Sequence, residues 1–490
     1  MKVRLLMTTA LMASIAAPAF ADEETDALRA EIKALEARLD RLERKEAQEH
    51  AQIVAERRKA QPSAPQQPAL QPAIPGTLEQ RVSSLEQQQA ATSAKTTELA
   101  QTTAAVKYEY GKGLSVTSPD KRLQLRLSGY FQADDHAFVG DVPSGSNDQF
   151  FIRSARPILE AKYDQFSARL MMDFGNNQTQ LLDAYGDYNA ADAFNIRVGK
   201  FKDPIGIERW QAEQNVLFVE RGMTTNLVPY RDNGVGLYGN LIPGTLEYQL
   251  AFTNGSPDLV NGTNGVDNDQ SVTGRVFAHP FHSIDIGALQ GIGLGVAGSW
   301  GNHNGSASST DLTSGYVTPA QSKFFTYATT AFASGEQWRF NPQATYYNGP
   351  FSVISEYVLE DQGLRDGAIT RTLQNDAWMA TATYVLTGED ARFDGVVPRN
   401  NFDPAHDQWG AFELVARMSR LRVDEDAFPV FASAALSARE ARESTAGATW
   451  YMNPNVKLNL DFAFTQFEGG AVNGNRPDEK AVLSRAQVKF

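Results

Sequence analysis

Four arginines stand in the middle of segments whose residues alternate between apolar and polar: Arg126, Arg156, Arg169 and Arg197. A guanidinium is planar and always charged, and its fork of donors matches phosphate or carboxylate. The alternation decides where each one points. In the first segment Leu123, Leu125, Leu127 and Phe131 share one face, and Arg122, Gln124, Arg126, Ser128 and Tyr130 share the other. Leu159, Ala161 and Tyr163 oppose Arg156, Glu160 and Lys162. Phe166, Ala168, Leu170, Met172 and Phe174 oppose Arg169 and Asp173, and Ile196 and Val198 oppose Arg197. If the apolar faces meet lipid, an arginine there would cost roughly 2–4 kcal/mol at mid-depth, so the charged faces must look onto water. Guanidiniums ranked along one wall make a path for anions. The alternative is a general aqueous passage whose basic wall faces acidic groups on a loop.

Such a loop is present. About thirty residues, Lys202 to Asp232, separate the fifth alternating segment from the sixth. They carry Glu208, Glu213 and Glu220 beside Arg209, Arg221 and Arg231. An ordered connection of this length is usually functional. It is expected to fold into the passage and narrow it.

Other chemistry fails its context. Gly234 to Gly239 matches G-x-G-x-x-G but lies in an alternating strand with no helix after it, so a dinucleotide site is not expected. The six histidines show no metal-ligand spacing, and no nucleophile elbow is present. Asp258 to Asp269 is acidic but lacks the ordered ligand pattern of a calcium loop. No catalytic residue, metal or cofactor is assigned. Zero cysteines removes thiol chemistry and disulfides. A net charge of −13 argues against a nucleic-acid partner.

These side chains need a scaffold, and the chain reads as all-β. Segments of about ten alternating residues recur between Gly/Asn/Asp/Ser clusters, the texture of a transmembrane barrel. Sixteen are counted, centred on 122–137, 151–163, 166–174, 180–189, 194–201, 233–240, 245–253, 270–279, 292–300, 337–347, 350–360, 376–387, 408–421, 443–452, 455–466 and 479–490. The last ends on Phe490, a terminal aromatic typical of outer-membrane barrels. An even count puts both termini on one side. Asp164-Gln165 and 452–455 fit short turns, and 254–269 and 301–322 fit long external loops.

Ahead of the barrel domain (108–490) stand three other regions. Residues 1–21 have a basic start, a short apolar run and an Ala19-Phe20-Ala21 cleavage site, a signal peptide. Losing Lys2 and Arg4 with it leaves −15, of which about −12 falls in the barrel, with acidic loop candidates such as Glu389, Asp390, Asp424 and Glu425. Residues 22–59 carry a heptad seam at Leu28, Ile32, Leu35, Leu39 and Leu42, a coiled-coil helix that implies two or three associated chains. Residues 60–107 are a Pro/Gln-rich linker with a second short seam at Leu78, Val82 and Leu85.

Several stretches resemble the phosphate-selective porin O/P family of Gram-negative outer membranes. They are Val198-Gly199-Lys200-Phe201-Lys202-Asp203-Pro204-Ile205-Gly206-Ile207-Glu208, Glu220-Arg221 followed by 231–236, Tyr384 to Glu389, and Thr449 to Asn455. The resemblance implies a sixteen-stranded antiparallel β-barrel in outer-membrane lipid, assembled as a homotrimer, with a loop-narrowed pore for passive diffusion of phosphate or similar anions. It adds Lys200 and Lys202 to the anion-binding candidates, and matches Glu208 and Arg221 in the constriction loop. The arm would lie in the periplasm. A further reading makes it a tether to the cell wall, and a general or cation-preferring pore is the alternative within transport. Deleting 22–105 separates pore from tether: conductance in a planar bilayer should persist, while envelope attachment is lost if the arm is a tether.

Overall fold

The computed structural model describes residues 104–490, apart from 141–145, 263, 264, 266 and 285, together with a few helical positions between 83 and 93. The leader, both seams and the Pro/Gln-rich spacer lie outside the described residues.

Sixteen antiparallel strands close into one barrel. They are β1 (Leu123–Phe138), β2 (Gln149–Tyr163), β3 (Phe166–Asp173), β4 (Gln180–Ala191), β5 (Phe194–Phe201), β6 (Asp232–Ile242), β7 (Leu246–Thr253), β8 (Ser271–Ala278), β9 (Ile292–Asn304), β10 (Phe332–Asn348), β11 (Phe351–Asp366), β12 (Ile369–Val385), β13 (Ala411–Arg422), β14 (Ala438–Asn453), β15 (Val456–Ala471) and β16 (Glu479–Lys489). Each pairs with the next, and β16 returns to β1 with Ala481 opposite Phe138 and Lys489 opposite Tyr130. Closure leaves no strand edge unpaired, the condition for strands in lipid. The sixteen predicted segments are these strands, in order. Alternation sorts the faces as expected: Leu123, Leu125, Leu127 and Phe131 are exposed outside, while Tyr130, Gln132, Asp134 and His136 are buried inside.

Three features depart from the sequence reading. A hairpin (Ala105–Glu109 and Gly113–Thr117) precedes the barrel, and its second strand pairs with β1 from Leu114 opposite Leu127 to Thr117 opposite Gln124. It takes over the part of β1 below the end of β16. Gly113 has φ of 87°, and a Cβ there would lie 2.2 Å from the Leu127 carbonyl oxygen. Second, β12 begins at Ile369 rather than near 376. Its first residues are polar and loop-like, yet they form a two-residue hairpin with β11 through Gly367 at φ 58°. Third, residues 386–410 connect β12 to β13 at the end of the barrel that carries the short turns. Glu389 and Asp390 therefore do not sit in a long-loop-end segment as expected.

The interior is filled unevenly. On the side of β10–β15 the segments 305–331 and 423–437 fold inward. Tyr316, Phe324, Phe325 and Phe431 pack there with Leu364, Leu373 and Leu421 of the wall and with Met223 and Leu227. The last two belong to the 202–231 connection, which crosses the lumen as predicted. It contains a short helix (Ile207–Trp210) and two 3-10 turns (Glu213–Asn215 and Met223–Leu227).

This loop is tied to the far wall, residue by residue. The backbone N–H of Gly206 donates to Asn341 (2.9 Å) on β10, and that of Ile207 to Glu356 (2.8 Å) on β11. The N–H of Val219 donates to Asp461 (2.6 Å) on β15, where Lys457 and Asn459 donate to the carbonyls of Val216 and Leu217. Arg417 on β13 donates to Glu208 (3.2 Å), to the Glu220 carbonyl (2.9 Å) and to Glu443 (2.8 Å). Its side chain is almost fully buried. Removing one member of such a buried network typically costs 3–5 kcal/mol, because the remaining charge is left unpaired. Arg417→Met should therefore lower the unfolding temperature and release the loop. Single-channel records should show larger and noisier conductance than the wild type.

Candidate functional site

With the loop held against β10–β15, a cavity of about 200 Å³ remains between it and the opposite wall. Five strands supply the wall: Tyr130 on β1, Arg156 and Ile158 on β2, Arg169 and Met171 on β3, Asp183 and Tyr185 on β4, Arg197 and Phe201 on β5. The loop supplies Lys202, Trp210, Ala212, Glu213, Gln214 and Arg231. A second cavity of about 240 Å³ contains Gln124, Arg126, Glu160, Lys162 and Asp187, and shares Arg169 and Tyr185 with the first. The two adjoin along the basic wall.

Each arginine is held by a carboxylate and, in most cases, by a ring. Arg156 donates to Asp173 (2.6 Å) and to the Tyr130 hydroxyl (2.6 Å). Arg169 bridges Glu160 (2.6 Å) and Asp183 (3.1 Å). Arg197 takes Asp187 with two donors (2.7 and 3.0 Å) and lies 3.8 Å above the Tyr185 ring. Arg231 donates to Asp183 (2.6 Å) and stacks on Tyr230 at 4.3 Å. Arg126 lies 3.7 Å from Glu160. Cation–π contact and ion pairing fix each guanidinium without consuming its whole fork. Around the two cavities Arg126, Arg156, Lys162, Arg169, Arg197, Lys202 and Arg231 face Glu160, Asp183, Asp187 and Glu213, a local excess of three positive charges. The acidic chain thus has a basic passage.

The loop residues divide by role. Lys202 donates to the carbonyls of Arg209, Trp210 and Gln211 (2.9, 3.2 and 2.9 Å), closing the C-terminus of the short helix. Burial lowers its pKa well below the usual lysine range, but three acceptors match the three donors of the ammonium form. Against the cost of burial, Arg221 and Arg156 hold the Glu213 carboxyl well below the usual carboxylate range. Arg221 also donates to the Glu208 and Gln211 carbonyls, and Arg209 donates to the Thr225 carbonyl (2.8 Å). Glu208 accepts from the Gly222 N–H (2.7 Å) and from Arg417.

Of the eleven candidates, Arg156, Arg169, Arg197, Lys202 and Arg231 come together on the first cavity, and Arg126 on the second. Glu208, Arg209, Glu220 and Arg221 are struts inside the loop rather than lining. Lys200 is absent from both linings. It stands three residues from Arg197, an odd separation that projects it from the other side of β5, where its ammonium donates to the Gly262 carbonyl. Asp183 and Tyr185 were legible from alternation in the fourth segment. Trp210, Ala212 and Gln214 were not, because a loop has no periodicity to read. Arg153 also escapes alternation. A bulge opposite Gln132 and Ala133 leaves it unpaired in register, and it turns to Glu220 (2.9 Å).

Comparison with known proteins agrees with this geometry. The family model described as phosphate-selective porin O and P matches residues 125–490. Porin O of Pseudomonas aeruginosa is 23% identical over 416 residues, covering 77% of this chain and 91% of the relative. Among solved structures, the outer membrane channel DcaP of Acinetobacter baumannii is similar with a TM-score of 0.50 at 12% identity, covering 75% of this chain and 97% of that one. That likeness supports the fold. With the barrel, the inward loop and the match over most of the chain in hand, the protein belongs to the phosphate-selective porin O and P family, and it is an outer-membrane porin.

Proposed function

We propose that this porin passes small anions by diffusion, inorganic phosphate among them, along the β1–β5 wall. The observation that carries the reading is the lining of the narrow cavity, where Arg156, Arg169, Arg197, Lys202 and Arg231 meet only Asp183 and Glu213. The carboxylate partners keep the surplus small. A solute is attracted without being trapped, as conduction requires. The wall residues act as fixed charges, with no covalent step. The family description, phosphate-selective porin O and P, is consistent with this solute class.

The same reading places the 22–59 arm in the periplasm and makes the working unit a homotrimer held partly by the Leu28–Leu42 seam. Its support is the heptad spacing for association, the family resemblance for three chains, and the start of the barrel's first strand at the short-turn end.

The test is the zero-current potential in a planar bilayer under a KCl gradient, repeated with phosphate. Chloride should be preferred over potassium, and phosphate should reduce chloride current. One unit charge about 4 Å from a passing ion is worth about 1 kcal/mol in water. Removing that charge weakens the hold on chloride and relieves the repulsion of potassium by about 1 kcal/mol each, so Arg169→Gln should lower the chloride-to-potassium permeability ratio about thirtyfold. Cation preference in the wild type would sink the anion reading and leave a general pore.

A further inference from the structure

The tip of the constriction loop meets the barrel wall at one contact that its hydrogen bonds do not explain. Glu220 is buried, and its Oε2 accepts from Arg153 on β2 (2.9 Å) and from Gln321 of the 305–331 segment (3.2 Å). Its Oε1 has no partner. Facing it at 3.8 Å is Nε2 of His136 on β1, also buried and also without a partner. The His136 ring hydrogen-bonds the Ala320 backbone as well. Two buried acceptors aimed at one another repel unless something positive stands between them, and leaving both unsatisfied is costly.

The surroundings decide what that is. Asp134, the next inward residue on β1, lies close enough to complete a three-ligand group with His136 and Glu220. Both of its oxygens are taken by Arg485 of β16, at 2.7 Å each. Arg153 and Arg485 already balance Asp134 and Glu220. A divalent cation would add two uncompensated charges in a buried place, whereas a proton adds one and satisfies both acceptors.

We infer that His136 positions the constriction loop by sharing a single proton with Glu220, so that the loop's attachment to β1 depends on pH. The charged groups facing the pair are Asp134 on β1, Arg153 on β2, Arg485 on β16 and Glu213 within the loop. Burial, opposed in part by Arg153 and Arg485, pushes the Glu220 carboxyl up to about 7. A carboxyl raised in the folded state stabilises it below the ordinary carboxylate range, and that stabilisation is lost as pH rises through the raised value. The bond is therefore held in mild acid and released toward alkaline pH. The tethers to β10–β15 and the Arg153–Glu220 ion pair are untouched, so release loosens the Glu220 side chain against β1 and not the whole loop.

The experiment is single-channel recording of the full-length protein between pH 5 and pH 9, with heat-modifiable gel mobility as the check on folding. Wild type should pass from quiet to flickering current with a midpoint near neutrality. Glu220→Gln keeps the shape of the protonated acid: its amide donates to Nε2 and its carbonyl accepts from Arg153. It should stay quiet at every pH. His136→Phe removes the acceptor and should flicker at every pH. A wild-type transition that survives in Glu220→Gln would overturn the inference. So would micromolar zinc quieting the wild-type channel at alkaline pH but not His136→Phe, since the pair would then hold a metal. Either failure leaves the anion preference measured in KCl where it was.

Discussion

Everything in this protein follows from the need to pair backbone polar groups where water is absent. In lipid a strand survives only if both of its neighbours are strands. The sheet must therefore close, and β16 must find β1. The closing pair shows how strictly this is met. Where β16 ends, Phe490 exchanges backbone hydrogen bonds with Gly129. A Cβ at Gly129 would lie 2.9 Å from the Phe490 ring, so only glycine lets that ring pack there. Below that point the N-terminal hairpin continues the pairing.

Closure creates an interior, and an interior in a sixteen-stranded barrel is too wide to be selective by its wall alone. The chain fills it asymmetrically. Aromatic side chains from two inward segments pack against the long strands, and the 202–231 loop is bonded to that same side. The passage is thereby pushed onto β1–β5, the wall that carries the arginines. The proposed anion preference is in this sense a packing outcome.

The guanidiniums are themselves positioned by opposition. Each is matched by a carboxylate one or two strands away and several rest on tyrosine rings, so their forks point in fixed directions. Such pairing costs potential, since seven cations around the cavities keep only three charges in excess. It gains rigidity, and it explains how a chain of net charge −13 carries a basic lumen.

The sequence by itself determined the strands, their number and their faces, because a period of two is imposed locally by the pleat and by the cost of charge in lipid. It therefore determined that Arg126, Arg156, Arg169 and Arg197 look inward. It also determined that a long connection follows the fifth strand. Tertiary structure alone decided what that connection does. Glu208, Arg209, Glu220 and Arg221, assigned to the constriction loop, serve as its struts, while Trp210 and Gln214 line the cavity, because a loop's side chains are directed by whichever wall it bonds to. The bulge that turns Arg153 inward and the burial of Lys200 under Gly262 belong to the same class. Both depend on partners on other elements, and no local pattern records them.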